Sequence, residues 1–155
     1  MNLIDLIRTH ALHSSTVVLD IDGTVTPAKS SALTPEVLDA VRLLKRENDV
    51  YIFSNSFNRA RNKRVATELG VPLIDTWYKK PDPRVIRGLA PKFVPIVVIG
   101  DKVITDGLFA FLIGAQFIHV TRIVGPNESF MDWVAGAIDD AAAFLWNAIK
   151  TFLGF

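Results

Sequence analysis

Thr16-Val17-Val18-Leu19-Asp20-Ile21-Asp22-Gly23-Thr24 is the stretch on which the reading of this chain turns. Its first half is β-branched and apolar, the composition of a buried strand, and it breaks off into two carboxylates, a glycine and a threonine. Side chains alternate along a strand, so extended backbone through Ile21 puts Asp20 and Asp22 on the same side. Gly23 lets the backbone turn sharply away. Two like charges held that close stay ionised only with a cation between them, and carboxylate oxygens with room for water suit magnesium. The stretch reads as a reaction centre.

Working outward, the same transition from apolar run to polar cluster recurs. Residues 50–53 read as a second strand that stops at Ser54-Asn55-Ser56, and residues 71–77 as a third that ends before Tyr78-Lys79-Lys80-Pro81. Residues 95–99 read as a fourth, followed at once by Gly100-Asp101 and then Asp106, and residues 116–120 as a fifth. Helical patterns lie between them. Residues 3–11 form one, and Thr34-Pro35 supplies an N-cap with proline at the first helical position of the next. A basic helix then carries Ala60, Val65, Ala66 and Leu69 as its buried side and stops at Gly70, and residues 84–89 and 108–113 form two more. This alternation predicts an α/β, Rossmann-like three-layer sandwich around a five-stranded parallel sheet. In such a sheet the C-terminal strand ends share one edge, where ligands bind. Asp20, Asp22, Ser54, Asn55, Lys80, Asp101 and Asp106 are therefore expected to converge.

The composition bounds the rest. A chain of 155 residues holds one domain with a real core. The absence of cysteine excludes a disulfide framework, thiolate zinc sites and a cysteine nucleophile. Net charge is +1, but residues 59–92 carry nine Lys or Arg against three acids, whereas from Glu128 onward there are four acids and only Lys150. The Arg59, Arg61, Lys63, Arg64 cluster reads first as a solvated helix face and second as a headgroup or phosphate contact, and the lack of interleaved aromatic residues argues against nucleic acid. Half the residues are apolar and mean hydropathy is +0.30, yet no charge-free apolar run reaches the roughly 18–20 residues needed to span a bilayer. The N-terminal stretch holds Asp5 and Arg8 and no small-residue cleavage site, which argues against a secretory signal. These features predict a protein of the cytoplasmic side, or of the equivalent organelle matrix, with a reason to touch a membrane or a partner.

Carboxylates, magnesium and a lysine are what phosphoryl transfer needs, because the cation and the ammonium stabilise the spread negative charge. Asp20 is the natural nucleophile, attacking phosphorus to form an acyl phosphate that water cleaves. Asp22 would protonate the leaving oxygen and then activate the hydrolytic water.

On its motifs the chain resembles the haloacid dehalogenase-like superfamily of magnesium-dependent phosphatases. Asp20-Ile21-Asp22-Gly23-Thr24 looks like the first motif, Phe53-Ser54-Asn55 the second, Lys80-Pro81 the third, and Gly100-Asp101 with Asp106 the fourth. By that resemblance Asp20 is the nucleophile and, with Asp101 and the backbone carbonyl of Asp22, a magnesium ligand. Ser54 and Lys80 would hold the phosphoryl oxygens, helped by the Asn55 backbone, and Asp106 would orient Lys80 or bind a metal-bound water. Gly23, Thr24 and Gly100 support the motifs. An acid at position 22 marks phosphatases rather than dehalogenases. The spacing of Ser54-Asn55-Ser56, Arg64-Val65, Leu69-Gly70, Lys80-Pro81 and Ile99-Gly100-Asp101 is similar to the capless branch containing the bacterial and mitochondrial phosphatidylglycerophosphate phosphatases. That branch usually has Asn where this chain has Gly23, and often another at Ser56.

Only residues 25–33 separate Thr24 from the next helix, and residues 57–78 leave room for one helix and one strand, so no cap domain fits. An uncapped site is open and admits a bulky substrate or borrows a lid from another subunit. The core is expected over residues 1–127. Residues 128–155 project as an amphipathic helix with a wide apolar arc, suited to packing on the sheet, to a membrane surface, or to a homo-oligomer contact. The resemblance thus implies a phosphomonoesterase acting on a phosphate ester, with phosphatidylglycerophosphate the leading lipid substrate. Two alternatives stand beside it: a soluble sugar- or metabolite-phosphate phosphatase that assembles as an oligomer, and a catalytically silent module that anchors something at a membrane. Trp77 and Phe57 are expected as walls of the site or core, and His10, His13 and His119 as surface, cap or packed residues.

Overall fold

The central strand is β1 (Thr16–Asp20), every residue of which is buried. In this computed structural model, which describes residues 1–10, 12–87, 89 and 91–125, β2 (Asp49–Phe53) pairs with one edge of β1 and β3 (Ile96–Gly100) with the other. Beyond β3 lies β4 (Gln116–His119). All the pairings are parallel and the order is β2-β1-β3-β4. Asp20 is level with Phe53, Leu19 with Ile99, and Gly100 with His119. The strands therefore end together, which sets Ser54 and Asp101 beside Asp20.

Alternation along the strands splits the core into two layers. Val17, Leu19, Val50, Ile52, Val97 and Ile99 face one side, against α1 (Leu3–Thr9), α2 (Pro35–Leu44) and α3 (Arg59–Leu69). Val18, Phe53 and Val98 face the other, against α4 (Leu108–Leu112) and a 3-10 turn, Pro83–Ile86. Each such side chain taken wholly out of water contributes about 1.5–3 kcal/mol, so the strand pattern alone holds the sheet between its layers. Caps fix where the helices begin. Asn2 accepts from Asp5 N–H, Thr34 from Val37 N–H with Pro35 at the first position, and Asn58 from Arg61 N–H.

The described sheet has four strands rather than five. Residues 71–77 lie alongside β2 but pair through one bridge, Ile52 to Leu73, closed by Ile52 N–H to Pro72 O and Ile74 N–H to Ile52 O. Pro72 has no N–H to extend the ladder, so the run stays a single bridge. It still delivers Lys80 to the common edge. The buried side of α3 also differs: Ala60 is exposed, and Arg61 and Asn62 join Val65, Ala66 and Leu69. Among the described residues no cap is inserted after β1 or β2, and no helix is long and apolar enough to cross a membrane. The amphipathic helix expected over 128–155 lies outside the described residues.

Candidate active site

After Asp20 the chain folds into a tight turn. Ile21 O accepts from the N–H groups of Thr24, Val25 and Thr26, and Gly23 N–H donates to Thr26 O. Gly23 sits at φ +85°, and a Cβ there would lie 2.3 Å from Asp101 Oδ2, so the turn and the approach of Asp101 both require glycine. A Cβ on Gly100 would likewise lie 2.3 Å from Asp106 Oδ2. The two motif glycines thus make room for two acids. Thr24 is buried beneath the turn.

Asp20, Asp101 and Asp106 are buried, and a carboxylate oxygen from each lies within 4.8 Å of the others. Lys80 Nζ bridges two of them, 2.5 Å from Asp20 Oδ1 and 2.5 Å from Asp106 Oδ1. Burial drives the Lys80 pKa down, but the two carboxylates outweigh it and hold the ammonium above its ordinary range. Burial, reinforced by the charges of Asp106 and Asp101, pushes Asp20 up to about 7 against the pull of Lys80. Burial likewise pushes Asp101 up to about 6. Both Asp101 oxygens are enclosed without a hydrogen-bond partner, and the nearest cations, Lys102 Nζ and Arg122 Nε, stand off at 3.7 and 3.9 Å. An enclosed carboxylate without donors is costly. Hard oxygen donors that crowd together and lack protons suit a divalent cation such as magnesium, so the residues present fit that ion.

Asp22 lives in a different environment. Its Oδ2 accepts from Arg61 Nη1 at 3.0 Å and Ser54 Oγ at 2.9 Å, its Oδ1 accepts from Lys29 N–H at 3.0 Å, and Arg61 Nη2 lies 2.7 Å from Oδ1. Burial pushes its pKa upward, but the donors prevail and hold it below the usual carboxylate value. The spacing argument had the carboxylates of Asp20 and Asp22 sharing one cation. The structure joins Asp20 to Asp101 and Asp106 and commits the Asp22 carboxylate to Arg61. Both aspartates still line one cavity of about 340 Å³, together with Lys29, Ser54, Asn55, Ser56, Lys80, Lys102 and Thr105.

The second motif acts partly on the third. Asn55 Nδ2 donates to Lys80 O at 2.9 Å, and Lys80 N–H donates to Asn55 Oδ1 at 2.8 Å. This two-way clamp sets where the Lys80 side chain starts. Ser54 Oγ accepts from Ser56 N–H at 2.9 Å, which aims its proton at Asp22. Asp106 accepts from Lys102 N–H within a π-turn, Val103–Gly107, and His119 Nε2 donates to Asp101 O at 3.0 Å.

Sequence reasoning missed Arg61 and Lys102. Arg61 was grouped with a solvated face, yet it is 9% exposed, and its Nε also donates to Ser30 O at 2.7 Å. A signal was present: Arg61 precedes Val65 by four residues and Leu69 by eight, which places it on the inward stripe. Lys102 left no signal beyond its place after Asp101. Trp77 and Phe57 are not core: both are largely exposed, and they line a small cleft beside the cavity.

A family model described as mitochondrial PGP phosphatase matches residues 4–125. No curated protein matches the chain. Among solved structures, a chain of the Pnkp1/Rnl/Hen1 RNA repair complex superposes with a TM-score of 0.48 at 16% identity. The match covers 72% of this chain and 45% of that one.

Proposed function

Because the chain belongs to the mitochondrial PGP phosphatase family, a family of phosphoric monoester hydrolases, we propose that it removes the terminal phosphate of a phospholipid headgroup, converting phosphatidylglycerophosphate to phosphatidylglycerol. The observation that carries this reading is the buried cluster of Asp20, Asp101 and Asp106, in which Lys80 bridges Asp20 and Asp106, and from which Asp20 and Lys80 reach an open cavity.

In this reading Asp20, Asp101 and the backbone carbonyl of Asp22 would hold magnesium, with Asp106 close to Asp20 and Asp101. When bound, the ion supplies positive charge that keeps the acids ionised and draws charge from the phosphoryl oxygens. A carboxylate oxygen of Asp20 attacks phosphorus, and the bond from phosphorus to the headgroup oxygen breaks. The departing oxygen takes a proton from Asp22. Water then attacks the acyl phosphate and gives a proton to Asp22, which restores the Asp20 carboxylate and releases phosphate. Lys80 faces the charge that builds on the phosphoryl oxygens, held in place by Asp106 and by the Asn55 clamp.

Arg61 tunes Asp22 for its two roles. With the cavity empty of phosphate, Asp22 is held ionised, the form that accepts the proton from water. A phosphate dianion entering beside it raises the Asp22 pKa and competes for Arg61, so the carboxyl can gain the proton that the first step consumes. Ser54, already shared with Asp22, sits where it can turn to a phosphoryl oxygen.

The test is phosphate release with magnesium from phosphatidylglycerophosphate, phosphatidic acid and soluble sugar phosphates. Phosphatidylglycerophosphate is expected to turn over fastest, and Asp20→Asn is expected to cost about a thousandfold or more. Faster turnover of a sugar phosphate would overturn the lipid assignment, and a fully active Asp20→Asn variant would overturn the nucleophile.

A further inference from the structure

Two aromatic side chains beside the cavity are turned outward. Phe57 is 89% and Trp77 84% exposed. Each carries a cation on its ring: Lys79 Nζ lies 4.7 Å from the Phe57 centroid, and the Arg59 guanidinium carbon 4.5 Å from that of Trp77. The four residues line a small, mostly apolar cleft whose walls include Ser54 and Ser56, and those two serines also line the catalytic cavity. The patch and the site are therefore continuous. The aromatic residues that the linear sequence does not interleave with its basic cluster are brought onto those cations by the fold.

Large rings left in water beside a functional cavity mark a surface that is covered when the protein works. Ring faces paired with lysine and arginine match the headgroup level of a bilayer, where amphipathic aromatic side chains settle and positive charge is drawn to anionic lipid. Charge complementarity points the same way: with Arg61 and Lys80 buried against acids of the site, residues 59–92 still carry seven Lys or Arg against three acids, an excess of four, even with Arg59 paired to Asp75. We propose that Phe57 and Trp77, with Arg59 and Lys79, form an interfacial docking surface that seats the mouth of the catalytic cavity on a bilayer rich in anionic headgroups. This rests on the lipid-phosphate reading above and adds to it how the open site meets a substrate that stays anchored in a membrane.

The test uses the full chain and its Phe57→Ser/Trp77→Ser variant. Partition is measured by co-sedimentation with vesicles of phosphatidylcholine alone and of equal parts phosphatidylcholine and phosphatidylglycerol. The parent is expected to bind the mixed vesicles and the double variant to bind them about tenfold or more weakly, since two rings no longer leave water. Lys79→Glu should weaken binding to the mixed vesicles and leave the weak binding to phosphatidylcholine alone unchanged. The double variant should keep the parent's melting temperature and its rate on a soluble aryl phosphate. Its rate on phosphatidylglycerophosphate should fall in vesicles and persist in detergent. Equal partition of parent and double variant would overturn the docking surface, even with lipid hydrolysis in detergent intact. So would parental affinity for vesicles combined with loss of a homo-oligomer or of single-stranded RNA binding in the double variant, which would assign the patch to those partners. Conversely, vesicle binding that depends on the two rings, with no hydrolysis of the lipid even in detergent, would leave docking standing and remove the substrate assignment.

Discussion

Asp22 lines the cavity, Asp101 is enclosed against the Gly23 turn beside it, and the protein treats the two in opposite ways. Asp22 receives donors from Arg61, Ser54 and the Lys29 backbone and is held below its ordinary pKa. Asp101 accepts from no other side chain, has Lys102 and Arg122 only at 3.7 and 3.9 Å, and is pushed up to about 6 by burial. One carboxylate has its counter-charge built into the fold. The other belongs to a group of three acids in which Lys80 bridges Asp20 and Asp106 at 2.5 Å, while Lys102 and Arg122 stand farther from Asp101. The contrast teaches that the fold gives Asp22 a close counter-charge and several donors, whereas Asp101 is enclosed with its cations held at a distance.

The strongest way to break this comparison is to remove the built-in counter-charge. Arg61→Met should destabilise the protein by about 1–3 kcal/mol, because it takes the counter-charge from a half-buried carboxylate that keeps only its Ser54 and Lys29 donors. Denaturant unfolding reads the loss, and a change below about 1 kcal/mol would show that Asp22 does not depend on Arg61. The same variant should move the limb of the pH–rate profile that reports Asp22 upward, which loss of packing alone would not do.

Asp101→Asn sharpens the comparison from the other side. Removing a charge that has no donor should raise the stability of the magnesium-free protein, by about 1–3 kcal/mol. It should also abolish most of the thermal shift that magnesium gives the parent. Thermal unfolding with and without EDTA measures both. A variant less stable than the parent in EDTA would show that Asp101 is satisfied without a cation.

The smallest expected effect is on pH. Asp20 and Asp101 titrate near 7 and 6 in the folded chain, both above the 3.8 of an unperturbed aspartate. Between pH 4 and 7 the folded state thus holds protons that the unfolded state has released, so stability falls as pH rises. Asp22, with its lowered pKa, acts in the opposite sense and only at lower pH, losing its contribution as pH falls through the folded value. The melting temperature of the magnesium-free protein should fall by at least about 2–4 °C, roughly 1 kcal/mol, from pH 5 to 7. Saturating magnesium should flatten or reverse that slope. A melting temperature that rises over this range without magnesium would contradict the raised values.

Much of the fold was legible because its signals are local. β1, β2 and β3 are apolar runs ending in polar clusters, and the Thr34-Pro35 cap marks the start of α2 within a residue. Residues 71–77 misled because composition suits a strand there while Pro72 removes the donor that a ladder needs. In the site, Asp20, Ser54, Lys80, Asp101 and Asp106 were legible as strand-end residues, since parallel strands must end on one edge. Arg61 was not: its charge argued for solvent, and only the phase of α3 against the sheet turns it inward onto Asp22.

The sequence by itself determined which groups gather at the edge of the sheet, because side-chain alternation and the direction of parallel strands depend on residue order alone. The tertiary structure decided how those groups pair. Arg61 reaches Asp22 across 39 positions and Lys80 reaches Asp20 across 60. Charge neutralisation is a matter of ångströms between elements remote in the chain, and no local pattern carries that information. The same packing encloses Asp101 with no donor from another side chain.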